Sequence, residues 1–213
     1  MKKWFFALGM LTLSGMASAK MITDVAGRQV EVPQEAKRII LGEGRQIYLL
    51  AAFDTDAPFK RVIGWRDDLH KADWDGYQAY EKRYPQIRKL PTFGGAKDGT
   101  FNIEQALTLK PDLVLMNLES KAATDEGKLT EKLQAVGVPV VFIDFREAPM
   151  VNAEKSIRIM GELVNKPARA QEIIQFRQQQ IERVTSRLKN FTGYRPKVMI
   201  DRAGGYSDEC CMS

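Results

Sequence analysis

The chain has 213 residues, of which 44% are hydrophobic and 28% are charged. This length and mixture suit a globular protein with one full core or two small ones, and they exclude a disordered tail. A single histidine, His70, rules out metal centres that need two or more imidazoles, and the adjacent Cys210 and Cys211 provide neither a zinc-ribbon spacing nor a disulfide framework.

The N-terminal segment 1–19 is typical of a cleavable signal peptide. Lys2 and Lys3 precede an apolar run over residues 4–13, and small residues then end in the A-S-A pattern at 17–19 that signal peptidase recognises. The apolar run is far shorter than the ~20 residues that a membrane-spanning helix needs. We therefore predict cleavage after Ala19 and a soluble periplasmic protein. Its 30 basic and 27 acidic residues give no reason to expect binding to nucleic acid.

The next segments alternate between β-like and helical patterns. Two short β runs on either side of a Gly-containing turn predict a hairpin over residues 23–33. Apolar β runs and helical patterns then follow each other, with strands predicted at 38–41, 61–64, 113–116 and 140–143 and helices at 46–53, 74–83, 125–136 and 152–164. Strands that are apolar throughout and separated by helices form parallel sheets covered on both faces. The sequence thus predicts a parallel-sheet α/β sandwich as an N-terminal lobe over residues 20–165.

Pro167 opens a longer helical pattern, as proline can in a first helical turn. The pattern predicts a helix over 166–190, about 35 Å long, whose apolar stripe contains Ala170, Ile173, Ile174, Ile181, Val184 and Leu188. Gly193 ends this helix, and residues 194–201 read as a fresh buried strand. Because about a dozen residues follow that strand, we expect 194–213 to be the start of a second lobe that this chain leaves truncated.

We find no catalytic constellation in the sequence. The segment 42–44 (GEG) lacks the third glycine of a dinucleotide loop, residues 94–97 do not form a P-loop, and no G-x-S-x-G elbow occurs. His70 lies in a polar run, where a solvated or structural histidine is the usual interpretation. We therefore expect a protein that is not an enzyme, with an exported α/β enzyme as the alternative.

The predicted strand ends offer a candidate binding site instead, because ligands of open parallel sheets bind beyond the carboxyl ends of the strands. Arg45, Trp65, Arg66, Phe145 and Arg146 all follow or end predicted strands. Guanidinium groups suit carboxylate, catecholate or oxyanion groups, and aromatic rings offer flat apolar surface, so the set predicts an anionic, partly aromatic ligand. The alternative is that these arginines cap helices or pair with nearby acids.

Weaker candidates for the same rim are Asn117 and residues 92–95, which are equally typical of ordinary turns.

The chain resembles the periplasmic substrate-binding proteins of ABC importers for iron-siderophores, haem or cobalamin. The resemblance lies in TDVAGRQVEVP followed by KRII, then FNIEQALTLKPDLVLM and a long helix. The resemblance covers residues 23–201, and its most specific part is N-I-E at 102–104 leading to K-P-D-L-V at 110–114. It implies two α/β lobes with the ligand between them, bridged by the rigid helix that begins at Pro167, and slight closure. It also implies that Glu104 docks onto arginines of the permease; the alternative is a glutamate that merely complements the helix dipole.

The resemblance implies a monomeric receptor that captures a ferric siderophore or similar anionic metal chelate and delivers it to an ABC permease in the inner membrane. Because the sequence has no cluster of His or Cys residues, we expect no cofactor and expect any iron to arrive inside its chelate. Receptors for haem, cobalamin or a molybdate-type oxyanion remain alternatives, as does a truncated, non-functional product. Tyr206, after the last predicted strand, is a further candidate ligand contact, and Cys210-Cys211 belongs either to a strained vicinal disulfide or to an unstructured tail.

Overall fold

The computed structural model describes residues 19–198. The predicted signal segment up to residue 18 therefore lies outside the described residues, and so do Tyr206, Cys210 and Cys211. The chain divides into two compact units, Met1–Gln175 and Phe176–Ser213.

The strands of the first unit form two sheets. β1 (Ala19–Thr23) and β2 (Gln29–Pro33) make an antiparallel pair. The sequence predicts a hairpin over 23–33, but its first strand lies earlier in the chain, at Ala19–Thr23. A parallel sheet has the strand order β5-β4-β3-β6-β7 and consists of β3 (Ile39–Leu41), β4 (Val62–Arg66), β5 (Thr92–Phe93), β6 (Leu113–Asn117) and β7 (Val140–Ile143). The predicted parallel α/β fold is confirmed.

Helices connect the parallel strands, as crossover geometry requires. Their bounds are α1 (Ile47–Phe53), α2 (Asp68–Ala72), α3 (Trp74–Arg83), α4 (Ile103–Thr108), α5 (Lys121–Glu126), α6 (Leu129–Gln134), α7 (Pro149–Leu163) and α8 (Pro167–Leu188), with short 3-10 turns at Gly44–Gln46, Pro85–Lys89 and Leu118–Ser120. The helix predicted at 125–136 is in fact two helices. It is interrupted because Lys128 adopts a left-handed backbone conformation with φ of 51°.

The parallel sheet separates two apolar clusters. On one face, Leu113 and Leu115 of β6 pack with residues of α1, α7 and α8; on the other face, Val114 and Met116 pack with residues of α4 and α6. Successive side chains of a strand point to opposite faces, so a strand without polar positions fills both clusters. This is the physical basis of the uniformly apolar runs in the sequence.

A buried ion cluster ties the sheet to the turn between α7 and α8. The Asp54 carboxylate is 2.8 Å from Arg61 Nε, 2.9 Å from Lys60 Nζ and 2.7 Å from Lys166 Nζ. Asp54 and Arg61 are 3% and 4% exposed. Burial opposes ionisation of Asp54, but the hydrogen bonds from Lys166, Lys60 and Arg61 outweigh it and lower the pKa of Asp54. The cluster thus holds three chain segments together by charge.

Helix α8 begins at Pro167, as predicted, and is about 33 Å long at about 1.5 Å per residue. Within the first unit, Ala170 and Ile174 are buried in the core. A Cβ atom at Gly161 of α7 would lie 2.5 Å from the Ala170 Cβ, so the close approach of α7 and α8 requires glycine there.

The second unit is described as far as Val198 and contains the rest of α8. Its exposed large apolar side chains are Phe176, Val184, Leu188, Phe191, Tyr194 and Val198. The strand predicted at 194–201 is wrong for its described part, because residues 194–198 are exposed and form no strand. A strand needs a pairing partner, and none pairs with this segment among the described residues.

Within residues 19–198, no helix is both long enough and apolar enough to cross a membrane.

Candidate functional site

A cavity of about 390 Å³ opens beyond the carboxyl ends of β3, β6 and β7. Its lining consists of Glu43, Arg45, Gln46, Tyr48, Leu49, Asn117, Ile143, Phe145 and Arg146. The cavity lies where parallel sheets bind ligands, since loops and helix starts converge at that edge. The sequence predicted this edge from its strand ends.

The loop after β3 positions Arg45. A Cβ atom at Gly44 would lie 2.5 Å from the Arg66 carbonyl oxygen, so the loop can pass this close to β4 only with glycine. Arg45 Nη2 is 2.7 Å from Glu43 Oε1, and Arg45 Nε is 3.0 Å from Asp68 Oδ2. Two acids therefore hold the Arg45 guanidinium at the cavity wall.

The loop after β7 positions Arg146. The Asp144 carboxylate accepts hydrogen bonds from the backbone N–H groups of Arg146, Glu147 and Ala148 at 2.8, 2.9 and 3.0 Å, and from Asn152 Nδ2 at 2.8 Å. Burial opposes ionisation of Asp144, but these hydrogen bonds prevail and lower its pKa. The folded loop presents Phe145 and Arg146 together.

Replacing Asp144 with asparagine is expected to lower the free energy of unfolding by about 2 kcal/mol, because the amide brings a donor against backbone donors in a buried place. Urea denaturation followed by circular dichroism measures this change. Asp98→Asn is the matched control, since Asp98 is exposed and its ion pair with Arg66 is of the surface type worth about 0–1 kcal/mol. Equal effects of the two substitutions would contradict the role of Asp144.

The two arginines meet at the buried carboxylate of Glu43. Arg146 Nη2 and Asn117 Nδ2 both donate hydrogen bonds to it, beside the bond from Arg45. Arg146 Nη1 is also 3.0 Å from Glu119 Oε1. Burial raises the pKa of Glu43, while the Arg146 charge opposes that rise. The guanidiniums are thus paired with internal acids, the alternative that the sequence had left open.

Aromatic and apolar side chains form the remaining wall of the cavity. Tyr48 and Phe145 are 41% and 37% exposed, which leaves their rings accessible. Burial and a hydrogen bond to Asp73 raise the pKa of Tyr48, so its hydroxyl keeps its proton near neutral pH. The cavity combines cationic donors with flat apolar surface.

Three of the predicted residues, Arg45, Phe145 and Arg146, line this cavity, and so does the weaker candidate Asn117. Arg66 does not. Its guanidinium is 2.9 Å from Asp98 and borders a much smaller crevice next to Asn117 and Glu119.

The expectation that Trp65 lies on the rim is wrong. Trp65 is 3% exposed, and its ring packs edge-on against Phe59 with centroids 5.7 Å apart. The reason is that β4 extends to Arg66, beyond the predicted end of the strand. Trp65 is therefore an inward-facing strand residue, and Arg66 points to the opposite face.

Glu104 and His70 lie apart from the cavity lining. Glu104 is exposed in the first turn of α4, whose N-cap Asn102 accepts a hydrogen bond from Gln105 N at 2.9 Å. His70 is exposed and makes edge contacts with the rings of Trp74 and Tyr77. Among residues 19–198, no three His, Cys, Asp or Glu side chains are grouped as metal ligands would be.

The sequence interpretation missed Glu43, Gln46 and Tyr48 as lining residues. Glu43 lies between two glycines directly after a strand, and that position was the available signal. Its pairing with Arg146 is a contact across 103 residues of chain, which no local pattern encodes.

The model of the periplasmic binding protein family matches residues 66–206, about two thirds of the chain. No curated protein sequence matches this chain. Among solved structures, the TroA-like periplasmic binding protein FepB from Veillonella parvula is similar, with a TM-score of 0.77 and 28% identity over 85% of this chain and 52% of that one.

Two further structures share the fold. The molybdate-binding MolA of Haemophilus influenzae has a TM-score of 0.62 and 20% identity over 82% of this chain and 55% of its own. The siderophore-binding protein BauB, bound to acinetobactin and ferric iron, has a TM-score of 0.57 and 14% identity over 82% of this chain and 56% of its own. The chain spans about half the length of these structures.

The family is one of extracytoplasmic substrate-binding proteins. The match to its model covers most of the chain, and the parallel sheet with helices on both faces agrees with its solved members. This chain therefore belongs to the periplasmic binding protein family.

Proposed function

We propose that the chain is the solute-binding component of an ABC importer, exported by cleavage of segment 1–19, and that it captures a ferric siderophore or a similar anionic metal chelate. The observation that carries this proposal is the convergence of Arg45 and Arg146 beside Tyr48 and Phe145 in one cavity. Guanidinium groups bind anionic oxygens, and the rings suit the flat organic part of a chelator.

In this proposal the metal enters and leaves inside its chelate. The charged groups of the cavity are guanidiniums paired with carboxylates, which favour the oxygens of an anion over a bare cation. Arg66 contributes charge from the adjoining crevice, and Tyr206 is a further candidate ligand contact. The receptor acts as a monomer.

Isothermal titration of the purified 213-residue chain tests the proposal, with the ferric complex of a tricatecholate siderophore as the probe. A dissociation constant of about 1 μM or tighter is expected, which corresponds to about −8 kcal/mol. Haemin, cobalamin and molybdate are titrated in parallel. Binding of one of these in place of the ferric complex would replace the proposed ligand, and no binding of any probe would contradict a receptor role.

Replacing Glu104 with alanine is expected to abolish uptake of the ferric complex in cells that make the importer, while binding by the purified protein stays within about twofold. Glu104 projects from the first turn of α4 and does not line the cavity, so its proposed partner is the permease. Glu131→Ala is the matched control, because Glu131 is likewise an exposed first-turn glutamate of a six-residue helix. Normal uptake by the Glu104 variant would contradict the docking role.

A further inference from the structure

The Glu43 carboxylate occupies the position that a ligand anion would take between the two arginines of the cavity. Its side chain is 7% exposed, Arg45 Nη2 is 2.7 Å from Oε1, and Arg146 Nη2 donates to the same oxygen. Asn117 donates to the other oxygen. Both guanidiniums are thus joined to one internal anion.

The wider cluster is also balanced in charge. Asp68 pairs with Arg45 and Glu119 pairs with Arg146, both at 3.0 Å. Lys97 is 3.8 Å from Glu119, so three basic and three acidic groups stand together. A ligand anion that simply approached this cluster would meet little net positive charge.

We infer that Glu43 competes with the ligand for Arg45 and Arg146, and that a ligand anion binds by displacing the Glu43 carboxylate from both guanidiniums. The inference rests on the proposed function, because it requires that the cavity bind an anion. It makes Glu43 a specificity-determining residue. A ligand with one weak anionic group cannot replace a buried carboxylate held by three donors, whereas a chelate that presents two or more anionic oxygens close together can.

The surroundings of Glu43 favour its release. The groups facing it are Arg45 from the loop after β3, Asp68 from α2, Asn117 at the end of β6, Glu119 from the turn after β6 and Arg146 from the loop after β7. Burial raises its pKa, Asp68 and Glu119 add to that rise, and the arginines oppose it. A carboxyl group with a raised pKa readily takes up a proton once a ligand anion has displaced it from the arginines. Anion binding should therefore become tighter as the pH falls.

The test compares Glu43→Gln with the wild-type chain by isothermal titration with the ferric tricatecholate complex at neutral pH. Glutamine keeps the shape of the side chain and removes the competing charge, so the affinity is expected to rise about tenfold or more. Glu119→Gln is the matched control. It makes the same change in charge and removes a partner of the same Arg146, but Glu119 does not line the cavity, and a change below about threefold is expected.

A second measurement covers the case in which Glu43→Gln does not fold. The ferric tricatecholate complex is titrated into the wild-type chain at a series of pH values from about 8 downward, and its binding is expected to tighten as the pH falls.

The outcomes separate the two proposals. Weaker binding by Glu43→Gln, or an affinity of the wild type that does not depend on pH, would show that Glu43 only braces the arginines and would overturn the inference while the receptor role stands. Absence of binding by both proteins under all conditions would overturn the receptor role, and the inference with it.

Discussion

Replacing Asp54 with asparagine is expected to lower the free energy of unfolding by about 3–5 kcal/mol, because it leaves the buried Arg61 guanidinium without its buried carboxylate. Arg61 is 4% exposed. In the variant its guanidinium still pairs with Glu35 at 2.8 Å, but it loses its fully buried partner, the Asp54 carboxylate. Lys166 loses the same carboxylate, and with it an anchor for the turn between α7 and α8. Urea denaturation at neutral pH measures the change.

The matched control for Asp54 is Asp125→Asn. Asp125 forms a pair with Lys121 on the surface of α5, and its side chain is 50% exposed. Such pairs contribute about 0–1 kcal/mol. A loss from Asp54→Asn that is no larger than this would contradict the structural role of the buried cluster.

The same variant has a defined pH signature. The pKa of Asp54 is lower in the folded protein than in the unfolded chain, so its ion pairs contribute stability above the unfolded value of about 3.9 and lose it as the pH falls through the folded value. The difference in unfolding free energy between wild type and variant should therefore shrink as the pH drops below about 4. A difference that stays constant between neutral and acid pH would assign the effect to packing.

Replacing Arg146 with alanine is expected to weaken binding of the ferric tricatecholate complex about 30-fold or more, which corresponds to about 2 kcal/mol. Arg146 lines the cavity, is held by Asp144 through its backbone, and brings two of its guanidinium nitrogens to Glu43 and Glu119. Its loss removes a positive charge from the cavity and leaves Glu43, which lines the cavity, without one of its cationic partners. Isothermal titration gives the affinity.

Arg158→Ala is the matched control for Arg146. Arg158 is an exposed residue of α7 whose guanidinium donates a hydrogen bond to Gln171. It does not line the cavity, so a change in affinity below about twofold is expected.

Arg66→Ala should give an intermediate loss of affinity, because Arg66 borders the adjoining crevice and acts only through its charge. Unchanged affinity in the Arg146 variant would require another location for the binding site.

Much of the fold could be predicted because it depends on local pattern. The apolar runs of β6 and β7 are buried on both faces, and the helix from Trp74 to Arg83 has its predicted bounds. Short elements such as α2 and β5 escaped prediction because five or two residues carry no recognisable period.

The sequence by itself determined that the chain forms a parallel α/β fold and that Arg45 and Arg146 lie at the edge of the sheet where ligands bind. Both conclusions follow from hydrophobic periodicity and from the common direction of parallel strands. Only the tertiary structure decided that Trp65 lies in the core and that Glu43 joins the two arginines. The burial of Trp65 depends on where β4 ends, because successive side chains of a strand point to opposite faces of the sheet. The pairing of Glu43 with the arginines depends on contacts between loops that are far apart in the chain.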